Sequence, residues 1–157
     1  MNKNTDMELF IHLLPRPASL VVAAGSPSGQ DADLLAEREL NVTRLDIATE
    51  STEILAFDDA SVSGVWCDET LSRLDCMRIS ESLREFSRVL VAHGCLFISL
   101  EQTTSAGDEQ AARDLIWAAG FNPLKIYVTD QHVCAFARNR ADCCATGDKK
   151  FYDRNAF

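Results

Sequence analysis

The chain has 157 residues, 15 basic against 24 acidic, a net charge of −9 and an isoelectric point near 4.7. That length fits one domain with a single sizeable core. So acidic a balance excludes nonspecific nucleic-acid binding, which needs a basic face to displace counterions from phosphates. The acidity reads as solubility, with docking of a basic partner as the alternative. No stretch approaches the ~20 apolar residues of a membrane span, and Leu9–Leu14, ahead of Pro15 and Pro17, is too short for a signal sequence. The six cysteines (Cys67, Cys76, Cys95, Cys134, Cys143 and Cys144) form no Cys-x-x-Cys pair. Zinc and cluster spacing is therefore missing, and a reduced, cytoplasmic setting is expected.

Residues 7–14 read as a short amphipathic helix stopped by Pro15-Arg16-Pro17. Ser19–Ala24 is a continuous apolar strand, the pattern of a strand covered on both faces. It runs into Gly25-Ser26-Pro27-Ser28-Gly29 and then a helix, the layout of a nucleotide-binding strand–turn–helix. Pro27 holds the middle glycine place, has no N–H to donate, and pushes Ser26 towards extended geometry. Asp31–Leu40 reads as a helix with Ala32, Leu35 and Ala36 on one face. Asn41–Ile47 is a second strand and Gly64–Cys67 a short third.

Met77–Leu90 carries the clearest helical period, with Ile79, Leu83, Phe86 and Leu90 on one face. Gly94–Leu100 is another buried strand, in which Cys95 reads as a small hydrophobe, as Cys134 does later. Glu109–Ala119 is a helix stopped by Gly120. Lys125–Thr129 and His132–Ala137 read as a hairpin, and from Arg138 the pattern dissolves into a polar tail or linker. The expected divisions are an N-terminal helical segment (1–18), a domain (19–137) and the tail (138–157). The fold expected is α/β: a Rossmann-like, mostly parallel open sheet with helices on both faces and a C-terminal antiparallel hairpin. Only 18 residues separate Asp46 from Val65. A crossover needs about ten to twelve residues and its next strand about five more, so one strand–helix unit is expected to be reduced or missing.

Four places carry a family likeness. They are the glycine turn, Asp46 at the end of the second strand, the segment Ser51-Thr52-Glu53-Ile54-Leu55-Ala56-Phe57-Asp58-Asp59-Ala60-Ser61, and the helix–turn–strand from Leu83 to Ile98. In this order, over roughly 19–137, the chain resembles the class I S-adenosylmethionine-dependent methyltransferases. The resemblance makes Gly25, Gly29 and Asp46 the vestige of a cofactor site, with Asp46 where such enzymes hold the ribose hydroxyls. A solvated acid at a strand end is the plainer reading of Asp46. The resemblance also puts Ala23 and Ser51 where the family keeps acids for the methionine amino group and the adenine.

Methyl transfer needs the acceptor held in line with the sulfonium, and a base only where the acceptor carries a proton. Asp68 or Glu69, after the third strand, has the chemistry of such a base, although an acidic loop explains both. His12, His93 and His132 do not cluster in sequence, and His93 replaces a glycine of the family turn. Trp66 and Trp117 fit core positions of a strand and a helix. No catalytic residue and no metal ligand is assigned.

Two functions follow. In the first, the domain has lost catalysis, holds no cofactor and works as an interaction or scaffold module. It is then most similar to the N-terminal domain of the anamorsin family of cytosolic iron–sulfur cluster assembly, through the run Gly94-Cys95-Leu96-Phe97 after an Arg-x-Leu helix end. That resemblance implies protein partners, a flavin-containing reductase and cluster-assembly proteins among them, with the tail leading towards a cysteine-rich region. In the alternative, the chain is a small active methyltransferase that binds S-adenosylmethionine and acts on a small molecule or protein. A different Rossmann-type nucleotide binder is a third reading, against which the turn's departure from G-x-G-x-x-G also counts.

Overall fold

The computed structural model describes residues 2–25, 29–47, 56–102 and 108–140. Ser26-Pro27-Ser28, Ser51 with its neighbours to Leu55, and Cys143-Cys144 lie outside the described residues. In chain order the elements are α1 (Lys3–Leu13), β1 (Val21–Ala24), α2 (Gln30–Ala36), β2 (Val42–Leu45) and β3 (Val62–Cys67). After a 3₁₀ turn at Thr70–Arg73 come α3 (Cys76–Val89), β4 (Leu90–Glu101), α4 (Glu109–Ala118), β5 (Phe121–Val128) and β6 (His132–Asn139). They build one six-stranded sheet in the order β2-β1-β3-β4-β6-β5. The first four strands are parallel, and β6 runs antiparallel to both β4 and β5. The fold is therefore the expected mixed α/β sheet. Between β2 and β3 the described residues contain no strand or helix, and β2 ends the sheet.

Side chains alternate across the sheet, so each strand feeds two layers. Val22, Ala24, Val65, Cys67, Leu96, Ile98, Ala135 and Ala137 face one way, where Ile79, Leu83 and Phe86 of α3 and Ile116 of α4 close over them. Val21, Ala23, Trp66, Cys95, Phe97 and Phe136 face the other way, under Met7, Phe10 and Leu14 from α1 and its end and Leu35 of α2. Two helices on each face leave the parallel strands buried on both sides, which is why they read as unbroken apolar runs. Among the described residues no helix is long and apolar enough to cross a membrane.

Polar side chains set the helix starts. Asn2 accepts from the Thr5 N–H at 2.8 Å, Asp75 from Arg78 at 2.9 Å, and Asp108 from Ala111 at 2.7 Å. Each such cap is worth about 1 kcal/mol. The Asn2 cap starts α1 at Lys3, four residues ahead of the start that apolar spacing predicts. Helix α2 ends at Ala36 rather than Leu40, and Glu39 beyond it adopts a left-handed φ of 64°. Strand β5 begins at Phe121, well before Lys125. Pro123 masks this in the sequence, yet β5 is an edge strand, where a missing N–H is tolerated. Strand β6 continues to Asn139, whose buried amide donates to the carbonyls of Ser87 and Leu90, both at 3.0 Å.

Gly64 marks where α1 meets the sheet. A Cβ there would run into Leu14 Cδ2 and, at 2.8 Å, Phe10 Cζ. Gly64→Ala is therefore expected to destabilise the fold by about 1–3 kcal/mol through overpacking. Urea unfolding should show a lower midpoint with an unchanged slope; a wild-type midpoint would mean that α1 does not seat on Gly64.

Candidate functional site

The carboxyl ends of parallel strands, near the point where strand order reverses, are where ligands bind in open α/β sheets. Here the order reverses between β1 and β3. Gly25 follows β1, and its N–H donates to the carbonyl of Leu45 at 2.8 Å, so the structure brings Gly25 beside Asp46. Gly29 caps α2 in a left-handed conformation, with φ of 68°. All three residues of the expected cofactor vestige thus lie at one corner of the sheet.

Side chains of the chain itself crowd both glycines. A Cβ at Gly25 would meet Thr70 Oγ1 at 2.6 Å, and one at Gly29 would meet Arg44 Nη1 at 2.6 Å. Thr70 is buried, held by its N–H and its hydroxyl on the Asp68 carbonyl at 2.8 and 3.2 Å. Arg44 is anchored by a salt bridge to Asp33 on α2.

A cavity of about 260 Å³ opens further along the same edge, among the ends of β3, β4 and the β5–β6 hairpin and the start of α1. Trp66 and Phe97 form one wall, stacked with centroids 4.0 Å apart and an interplanar angle of 16°. The Lys3 ammonium bridges Asp31 and Asp68 at 3.0 and 2.9 Å, tying α1 to α2 and to the loop after β3. Burial pulls the Lys3 pKa down, but the carboxylates of Asp68 and Asp31 outweigh it and hold the amine well above its ordinary range. Ser99 donates to Asp68 at 2.5 Å and accepts the Glu69 N–H at 2.8 Å.

On the opposite side, the Tyr127 hydroxyl donates to Asp6 Oδ2 at 2.5 Å. Asp6 is only 5% exposed, and its Oδ1 has no hydrogen-bond partner among the described residues. Leaving a buried acceptor unpaired costs about 1–3 kcal/mol, more when it is charged. Burial first, and then the hydrogen bonds with Asp6 and Cys134, push the Tyr127 phenol far above its usual value. Burial likewise raises the Cys134 thiol, and lifts the Cys95 thiol to about 12, so both are inert neutral groups as expected of buried cysteines.

The candidate bases are both engaged. Asp68 holds Lys3 and Ser99, while Glu69 pairs with His132 Nε2 at 3.2 Å. His132 is thus brought to the cavity, whereas His12 is exposed. His93 is an exposed turn residue that keeps a glycine-like φ of 63°. Trp66 is in the core, and Trp117 lies 4.2 Å beneath the Arg140 guanidinium. Lys3, Asp6, Asp31, Ser99 and Tyr127 escape sequence reasoning because no local motif links them; Asp6 and Tyr127 are 121 positions apart.

No family model matches the chain, and no curated protein does. Solved structures do. A 1,6-didemethyltoxoflavin N1-methyltransferase from Burkholderia thailandensis, solved with S-adenosylhomocysteine, superposes with a TM-score of 0.73 at 19% identity, over 88% of this chain and 77% of that one. An S-adenosylmethionine-dependent methyltransferase from Methanosarcina mazei gives 0.73 at 16% identity, over 84% and 97%. The cyclase SpnF gives 0.62 at 13%, over 87% and 80%. The fold is methyltransferase-like. At these identities the likeness concerns the fold and not the chemistry.

The cofactor such a fold implies is S-adenosylmethionine, and the described flanks of the turn do not fit it. The strand-end position expected to be acidic is Ala23, the Gly25 N–H is spent on Leu45, and Thr70 and Arg44 stand where the glycines would leave room. The cavity itself makes a titration prediction. The folded phenol of Tyr127 holds its proton above the ordinary value of about 10, so the unfolded chain releases it first and stability falls as pH rises past that value. The phenolate absorbance that Tyr127→Phe removes should therefore appear only above the ordinary tyrosine range, and Asp6→Asn should bring it lower. Normal titration of Tyr127 in the wild type would contradict the buried hydrogen-bonded geometry.

Proposed function

We propose that this methyltransferase-like domain carries out no methyl transfer and works as an interaction module. One observation carries the reading: the Thr70 hydroxyl stands 2.6 Å from where a Cβ on Gly25 would lie, so the chain's own side chains crowd the glycine turn. Arg44 against Gly29 and the missing acid at Ala23 support it. A fold retained after its ligand corner has been packed by its own side chains is a surface for partners. The resemblance of Gly94-Cys95-Leu96-Phe97 to the anamorsin family supplies the specific role: the N-terminal part of a cytosolic iron–sulfur cluster assembly factor, docking a flavin-containing reductase or other assembly proteins.

Thermal melting with and without millimolar S-adenosylmethionine separates this reading from an active enzyme. A ligand at a hundredfold excess over its Kd stabilises the native state by about 2.7 kcal/mol, a shift of several degrees for a domain of this size. No shift is expected. A clear shift would replace the interaction module with a small methyltransferase. For the assembly role, titration calorimetry against a purified flavin-containing reductase of cluster assembly should show saturable binding; none would remove the anamorsin-type assignment and leave the loss of catalysis standing.

A further inference from the structure

We infer that the outer edge of β5 docks a second copy of this chain, the two β5 strands running antiparallel about a two-fold axis at Ile126. Strand β5 ends the sheet, so among the described residues only its β6 side is paired. The hairpin fixes which backbone groups face outward. The Thr129 N–H donates to the His132 carbonyl at 2.8 Å, and Tyr127 lies opposite Cys134 two positions back along the ladder. Hydrogen-bonded and non-hydrogen-bonded pairs alternate in an antiparallel ladder. Tyr127 therefore turns its N–H and C=O towards β6, and Ile126 turns both away from it. A donor and an acceptor on one outward residue are self-complementary: two copies of Ile126 exchange both bonds across a two-fold axis.

The flanking side chains fit the same axis. Among the described residues three large hydrophobic side chains stand exposed, and two of them are Leu124 at 43% and Val128 at 51%. They lie two positions either side of Ile126, so the axis brings Leu124 of each copy beside Val128 of the other. It also sets Lys125, which lies 5.6 Å over the Tyr127 ring of its own chain, opposite Tyr127 of the other copy. A cation then faces an aromatic ring. Phe121–Val128 contains no acid, which matters in a chain of net charge −9 whose copies otherwise repel. The first half of the strand is guarded: Pro123 lacks an N–H, and the ladder shifts register between Pro123 and Lys125. The contact is therefore small. An eight-residue strand is about 27 Å long and a sheet about 10 Å thick, so edge pairing covers about 300 Å² of each copy. That falls short of the about 1,000 Å² in total of a lasting interface, and the dimer is a reversible one. The inference goes beyond the interaction-module reading and stands whether or not the domain transfers methyl groups, because none of its residues belongs to the glycine corner.

Amide proton exchange with water, followed by NMR on the ¹⁵N-labelled chain at two protein concentrations, tests this directly. A dimer with a dissociation constant of about 100 μM leaves about a fifth of the chain monomeric at about 1 mM. The Ile126 amide should then exchange about fivefold more slowly at about 1 mM than at about 10 μM, while Tyr127, bonded to β6 in either state, should not respond to dilution. Sedimentation velocity should show the same concentration dependence. Added salt should strengthen the dimer by screening the repulsion between two acidic chains. Val128→Lys, at an exposed position, should keep the wild-type melting temperature and sediment as a monomer throughout. Ile126 exchange that ignores dilution, whether fast or slow, would overturn the inference. So would a monomer at millimolar protein, a dimer that salt dissolves, or one that survives Val128→Lys. If Val128→Lys does not fold, the dilution series on the wild type decides by itself. A melting shift with S-adenosylmethionine bears only on the proposed function, so failure of one reading is distinguishable from failure of the other.

Discussion

The indole of Trp66 is the constraint on which the rest of this structure depends. Its face stacks on Phe97, its neighbour Phe10 meets it edge-on at 5.4 Å and 74°, and its N–H donates to Asp31 on α2 at 3.0 Å. Phe97 in turn packs against Phe136 at 4.9 Å. One row of rings thus runs from α1 across β3, β4 and β6. Each such pair adds about 0.5–1.5 kcal/mol beyond burial, but its positional effect matters more. The row fixes how α1 and α2 sit over the sheet, and so fixes where Lys3, Asp6 and Asp31 stand at the sheet's carboxyl edge.

The two ends of that edge follow opposite logic. At the β1–β2 corner the chain makes its own contacts: the Gly25 N–H on Leu45, Thr70 over Gly25, and Arg44 between Gly29 and Asp33. At the β3–β4–β6 end the chain instead retains a cavity lined by Lys3, Asp6, Asp68 and His132.

Helix α3 and the order of strands were legible because their signals are local and periodic. Ile79, Leu83 and Phe86 repeat at helical spacing, and the buried parallel strands are unbroken apolar runs. The short distance from Asp46 to Val65 likewise gave the absence of a crossover helix in the described stretch before β3. What the pattern hid has specific causes. Pro123 disguised the first half of β5, because a proline at a sheet edge mimics a loop. The start of α1 depends on one Asn2 hydrogen bond, not on apolar spacing. The glycine corner was legible as a motif, but its filling by Thr70 and Arg44 was not, since those contacts join separate elements. The cavity was invisible for the same reason: its lining comes from five elements and two loops with no shared sequence signal.

Lys3 shows why the N-terminal helix belongs to the site as well as to the core. Its ammonium satisfies Asp31 and Asp68 together, and Asp31 holds the Trp66 indole with its second oxygen. Deleting that cation would leave two largely buried carboxylates without their shared counter-charge, a repulsion that a low-dielectric site magnifies. Half of the Lys3 side chain is nonetheless in water, 47% exposed, so the bridge orders the edge more than it stabilises the fold. Asp6, one helical turn further along α1, instead accepts the hydroxyl proton of Tyr127.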